Sequence, residues 1–297
     1  MTDAAYPPSA YRVSWLRAIP FILVHAAAIA GVVWVGFSWT GVLLALGFYY
    51  LRMFAVTAGY HRYFSHRAFK TSRVFQLVLA FLAETSAQKG VIWWASHHRR
   101  HHKFSDTTED VHSVKQRGFW WAHVGWILSD RWNATETERV PDLLKFPELV
   151  WLDRFYLVPP VVMAVAIFLV GGWPALVWGF FVSTVLTYHG TFFINSLMHL
   201  VGKRRYATTD ESKNSFVLAV VTMGEGWHNN HHYYQRSASQ GFFWWEWDPT
   251  FYILKLLEVF HVVSDVNRPP RHVRDQTIAK AERAEHAAHD AHPLPAE

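Results

Sequence analysis

Four imidazoles fall within six residues at His97, His98, His101 and His102. No ordinary folding requirement asks for that density. On a helix, His98, His101 and His102 stand at i, i+3 and i+4, which brings three side chains onto one face. The same spacing returns at His228, His231 and His232, and a looser pair, His61 and His66, precedes both boxes. A lone histidine is ordinarily a surface or helix-end residue, but three boxes of repeated spacing are not. Imidazole suits zinc, copper, iron and nickel, and one ion takes about four to six ligands, so eight histidines point to a dinuclear metal centre.

Composition removes several kinds of chemistry. The 297-residue chain has no Cys, which excludes disulfides, thiolate-ligated haem, Cys-ligated iron–sulfur clusters and cysteine nucleophiles. No phosphate-cradling Gly-rich loop is present, and nucleic acid is not expected among the partners. Any electrons the centre uses must come from another protein.

The elements that position the boxes follow from charge. No Asp, Glu, Lys or Arg occurs from Ala18 to Leu51, nor from Phe155 to Gly202. Each block is too long for one crossing, which takes ~20 residues, and fits a hairpin of two. We expect spans near 18–37, 41–59, 155–170 and 174–197, with turns at Gly36 to Gly41 and at Gly171-Gly172-Trp173-Pro174. The first run is too long for a signal peptide, and no small-residue cleavage pattern follows it. Arg52 falls within the second span, where it either faces protein or a cavity or snorkels to the interface. A mean hydropathy of only +0.03 requires a substantial water-exposed part.

The expected fold is therefore an all-α integral membrane protein of four transmembrane helices, in two hairpins, with a helical cytosolic cap carrying the dimetal centre. Residues 1–17 form a cytosolic N-terminus, 18–264 the membrane domain with its cap from 60–154 and 198–264, and 265–297 a charged tail. The 28 Lys and Arg avoid both outer turns, so the positive-inside rule places the termini and all three boxes on the cytoplasmic side. Asn195 and His199 close the fourth span at that face and join the boxes, making nine candidate histidines and an amide. Val74–Ala83 is too short to cross and suits an interfacial helix. Trp93, Trp94, Trp120, Trp121, Trp126, Trp244, Trp245 and Trp247 are expected chiefly as interfacial anchors. His286, His289 and His292 in the tail are given no function.

Two ions held by neutral imidazoles keep most of their charge, and iron activates dioxygen most readily among the candidates. At a membrane face, such a centre suits attack on an unactivated alkyl chain. A carboxylate-bridged alternative would use Glu-x-x-His pairs. Glu109 with His112 and Glu225 with His228 match it, but Gly224 and Gly226 disfavour helix at the second.

The motifs His61-Arg-Tyr-Phe-Ser-His66, His98-Arg-Arg-His101-His102-Lys103-Phe104-Ser105, Arg117-Gly-Phe-Trp-Trp-Ala-His123-Val-Gly-Trp126, Asn195 to His199, and Gly224-Glu-Gly-Trp-His228-Asn-Asn-His231-His232 resemble those of membrane-bound fatty acyl desaturases of the stearoyl-CoA Δ9 type. The match runs from about Leu51 to Leu257. The resemblance implies insertion of a cis double bond into a long acyl chain, most simply an acyl-CoA thioester, using O2 and two electrons. It also implies two Fe ions, replaceable by Zn on overproduction, held by His61, His66, His98, His101, His102, His199, His228, His231 and His232, with Asn195 acting through water. A separate donor of ferredoxin or cytochrome b5 type with its reductase would supply the electrons.

His97 stands outside the implied ligand set, and His123 is read as structural. Trp94 and Trp126 are candidates for lining an acyl tunnel, and Arg131 for touching the head group. Basic residues that resembling CoA-dependent enzymes carry before the second box and after Val124-Gly125-Trp126 are replaced by Ser96 and by Ser129-Asp130-Arg131. An acyl-lipid or acyl-carrier-protein desaturase, or a membrane alkane or fatty acid hydroxylase, therefore stays open. A non-enzymatic metal transporter would need ionisable groups within the spans, where only His25, Arg52 and His189 occur.

Overall fold

In the computed structural model, residues 11–278 are described, and the chain is mostly helical. The histidines singled out near the C-terminus lie outside the described residues. Helix α1 (Trp15–Val35) and α2 (Trp39–Phe54) are joined by the turn at 36–38 and both pack on Leu176–Val182, and α2 runs on as a π-helix through Ala55–Ser65. The cap begins with β1 (Lys70–Thr71), α3 (Arg73–Glu84), α4 (Val91–Phe104), α5 (Val114–Arg117) and α6 (Pro147–Arg154). Helix α7 (Val158–Ala175), a π-helical stretch (Leu176–Val182) and α8 (Ser183–Asn195) return to the apolar part. The cap is completed by α9 (Phe216–Val221), α10 (His228–Tyr233), α11 (Pro249–Val259), β2 (Val263–Ser264) and α12 (Arg271–Arg274). Strand β2 pairs antiparallel with β1.

Among the described residues, three helical runs, not the expected four, are long and apolar enough to cross a membrane: Trp15–Val35, Trp39–Ser65 and Val158–His199. The last has 42 residues, roughly 63 Å if straight, twice a bilayer's hydrocarbon thickness. It is not straight. Gly172 takes φ 63 and ψ −158, and α7 packs back on Leu176–Val182. The helical hydrogen-bond pattern closes up on both sides of this break, which merges two expected helices into one run.

Arg52 does not snorkel. It is 1% exposed, and its guanidinium donates to Thr184 Oγ1 (2.7 Å), the Thr85 carbonyl (3.3 Å) and Ser183 Oγ. Helix α3 buries Leu79, Ala80 and Ala83 and exposes Val74 and Val78. Trp120, Trp244, Trp245 and Trp247 are exposed, but Trp93 and Trp126 are not anchors: they are buried and stacked, with centroids 5.7 Å apart.

The main core lies beneath the boxes, where Phe64 from the π-helix meets Leu79, Val91, Ile92, Leu149, Leu152 and Leu254. Residues 265–278 dock on this cap: Asn267 O accepts from Ala238 N–H (2.8 Å), and Tyr206 donates to Arg274 O (2.7 Å).

Candidate metal centre

Each box is presented by a different local device. His61 and His66 are five residues apart, a spacing that scatters side chains on an α-helix but matches the i→i+5 bonding of a π-helix. His66 N–H accordingly donates to His61 O at 3.2 Å. Helix α4 starts at Gly90, against which Asp153 packs so closely that a Cβ would lie 2.2 Å from its carboxylate. Asp153 Oδ1 accepts from Ile92 and Trp93 N–H (2.9 and 2.8 Å), and Glu84 Oε1 from Val91 N–H (3.0 Å). Two carboxyl groups thus satisfy the free donors that begin the helix. A left-handed turn at Gly224 (φ 112) leads into α10, and His199 sits on the turn Leu197–His199 after α8.

All nine histidines converge, in two groups whose ligand atoms lie within 4.8 Å of one another: His61, His66, His98, His102 and His231; and His101, His199, His228 and His232. The i, i+4 pair His98/His102 serves the first group while His101 turns to the second. Helix α10 reverses the division, giving His228/His232 to the second and His231 to the first. In the first group, Nε2 atoms lie 2.9 Å (His61–His231), 2.9 Å (His231–His102), 3.0 Å (His102–His98) and 2.8 Å (His98–His66) apart. In the second, His228–His199 is 3.2 Å and His101–His232 3.4 Å.

Carboxylates stand behind four of the rings. Asp110 Oδ1 lies 2.8 Å from His101 Nδ1, Asp210 Oδ2 2.7 Å from His232 Nδ1, Asp106 Oδ2 3.1 Å from His199 Nδ1, and Glu225 Oε2 2.5 Å from His61 Nδ1. Burial would raise these acids, but their histidine partners hold Asp110 at about 2 and Asp106, Asp210 and Glu225 below the usual carboxylate range. An ionised carboxylate only accepts, so each Nδ1 carries hydrogen, and in the neutral ring Nε2 is then the nitrogen with a free lone pair. The Nε2 atoms of His101 and His232 face each other at 3.4 Å, and against the effect of burial the charge of Asp110 raises His101 above the ordinary histidine value.

Burial first, then mutual repulsion, pushes His66, His98, His102, His228 and His231 far below the ordinary histidine value. Neutral imidazole is the ligating form. The all-nitrogen donor set and its carboxylate backing therefore fit a pair of transition-metal ions.

The sequence left these acids unremarked, apart from Glu225 as a carboxylate-bridge candidate. Instead of bridging, Glu225 binds Arg62 (3.0 Å) and His61 from outside the cluster. Glu109 reaches Arg100 (3.4 Å). His112, which the sequence pairs with Glu109, instead forms a third group with His101 and Asp110. His97 stays out of both histidine groups, its Nδ1 bonded to Trp93 O (2.9 Å). His123 pairs with Ser196 and His189 (3.0 and 2.9 Å).

A cavity of about 790 Å³ adjoins this centre. His98, His112 and Asn195 line it at the metal end, together with Trp94 and Trp126; Arg131 does not, and instead lies over the Trp132 ring. Trp94 stacks between His98 and Tyr60, with centroids 4.9 and 5.3 Å away. Gln88 and Thr191, also in the wall, are joined by a 3.0 Å hydrogen bond. Arg17 and Lys89 are its cationic lining residues, neither foreseen from the sequence.

A buried polyhistidine cluster that could hold metal, beside a mostly apolar cavity and joined to helices able to cross a membrane, is the arrangement of a membrane metalloenzyme class for apolar substrates. Residues 37–255 match the fatty acid desaturase family model. An sn-2 palmitoyl-lipid 9-desaturase from Nostoc sp. is 35% identical over 267 residues, covering 88% of this chain and 93% of that protein. An sn-1 stearoyl-lipid 9-desaturase from Synechocystis sp. is 35% identical, with coverage of 86% and 81%. An acyl-CoA 5-desaturase from Anemone leveillei is 38% identical, with coverage of 78% and 74%. The chain belongs to the fatty acid desaturase family, whose members are oxidoreductases that introduce double bonds into fatty acyl chains.

Proposed function

We propose that this chain is a Δ9-type fatty acyl desaturase that places a cis double bond in a saturated long acyl chain. The observation that carries this reading is the pair of histidine groups opening onto one apolar cavity. The nine histidines would hold two iron ions, with Asn195 acting through water. Bound there, the irons would supply the O2 chemistry that removes two hydrogens. In balance, one saturated –CH2–CH2– unit, O2, two electrons and two protons give –CH=CH– and two waters. A separate ferredoxin or cytochrome b5 type donor would provide the electrons.

The protein's own contribution is positional. Asp106, Asp110, Asp210 and Glu225 hold ring orientation and tautomer, while the cavity fixes which methylene pair lies beside the centre. The break at Gly172 supports a topology of four crossings, and the Lys and Arg distribution supports termini and centre on the cytoplasmic side. For the acyl carrier, we favour a membrane lipid over CoA. Arg17 is neutralised by Asp130 (2.5 Å), so of the two cationic side chains in the cavity wall only Lys89, which donates to the neutral Asn133 (2.8 Å), keeps its charge uncompensated, against the several phosphate charges of CoA.

Gas chromatography of lipids from cells expressing the wild-type chain, beside a His101→Ala variant, tests the proposal. A new cis-alkene only with wild type is expected. Hydroxylated chains without a new alkene would establish the hydroxylase alternative instead.

A further inference from the structure

We infer that the acyl chain enters sideways from the bilayer, through a slit between α1 and α7. The inference rests on the desaturase reading and deepens it by naming the substrate's route. On α1, Leu16, Pro20 and Val24 line the cavity; on α7 and its first flanking residue, Leu157, Val161 and Val165 do so. Both sets are i, i+4, i+8 rows, so each is one continuous helix stripe, extending about 12 Å. Leu16, Pro20, Leu157, Val161 and Val165 are nevertheless exposed. Residues that both line a cavity and lie open along two helical turns describe a long side opening rather than a pore at one end.

The slit has a closed end. Trp34 and Trp173, the latter just past the break at Gly172, meet edge to face with centroids 5.5 Å apart, which bridges α1 to the end of α7 far from the cap. Both walls belong to runs able to cross a membrane, and the medium outside such apolar stripes is lipid hydrocarbon. At the cap end the Arg17–Asp130 pair stands beside Leu16, where the ester of a glycerolipid would rest while its chain slides in. The occupant is therefore an acyl chain already in the bilayer, attached to a glycerolipid.

The full-length, metal-loaded protein in phosphatidylcholine nanodiscs provides the test. The probe is a diacyl phosphatidylcholine with a mid-chain diazirine, and a second arm supplies the same photoreactive chain as its CoA thioester from the aqueous side. Mass spectrometry maps the adducts. We expect the lipid-borne probe to label Trp94 or Trp126 within the cavity, and a Val24→Trp/Val161→Trp variant to lose at least tenfold of that labelling while lipid-facing Ile22 is labelled as before. Val165→Trp, a single change at the slit, provides a second obstruction, and retained metal content certifies the fold of either variant. Cavity labelling by the lipid probe that persists in both variants, or that is absent from wild type while the CoA probe succeeds, would overturn the route. The labelling needs no turnover, so failure of the desaturase reading would register separately, as no alkene from metal-loaded wild type on either carrier.

Discussion

His101 Nε2 and His232 Nε2 face each other at 3.4 Å, each ring held from behind by an aspartate, Asp110 and Asp210. Asp110→Asn should keep the shape but weaken control of the His101 tautomer. Loss of a carboxylate behind a metal-bound histidine typically lowers metal affinity about 10–100-fold. Titration with Fe(II) or Zn(II) under anaerobic conditions should show one weakened site and one little changed.

The carboxylate of Asp153 binds the start of α4 and so sets the second box. Asp153→Ala removes the acceptor of two N–H groups and should cost about 0.5–2 kcal/mol, read as a lower thermal midpoint together with reduced metal content. Gly90→Ala should act on the same joint by collision, because its Cβ would lie 2.2 Å from Asp153.

Burial, opposed by the Val91 N–H bond and then reinforced by the Asp153 charge, raises Glu84 from 4.5 to about 8. Between those values the folded protein holds a proton that the unfolded chain has released, so the contribution of Glu84 to stability falls as pH rises from about 4.5 to 8. Glu84→Gln imitates the protonated form. Thermal melts from pH 6 to 9 should therefore show a smaller alkaline loss for the variant than for wild type; parallel profiles would refute the assignment.

Trp94 is wedged between His98 and Tyr60 and also forms part of the cavity wall. Trp94→Ala should loosen the register of the chain beside the centre, so a single double-bond position becomes a mixture. Mass spectrometry of derivatised products checks this directly.

The second and third boxes were legible because i, i+3, i+4 is a spacing an α-helix turns into one face. His61 and His66 could be paired only loosely, since nothing in their sequence announces a π-helix. Asp106, Asp110 and Asp210 were not legible as backing groups: each lies in a loop, and its partner is fixed by tertiary packing. Charge-free blocks revealed the apolar hairpins, whereas the closeness of the Gly172 turn, which joins two expected helices into one run, did not show in hydropathy. Buried Trp93 and Trp126 illustrate the same limit, because composition cannot distinguish an indole at an interface from one stacked in a core.

The central claim is that two histidine groups hold two ions. Metal analysis of anaerobically iron-reconstituted protein tests it most directly, comparing wild type with His98→Ala/His102→Ala and His228→Ala/His232→Ala. The account predicts two irons per chain in wild type and about one in each double variant, with the fold retained. One iron or fewer in wild type, or an iron content untouched by either pair of substitutions, would contradict it.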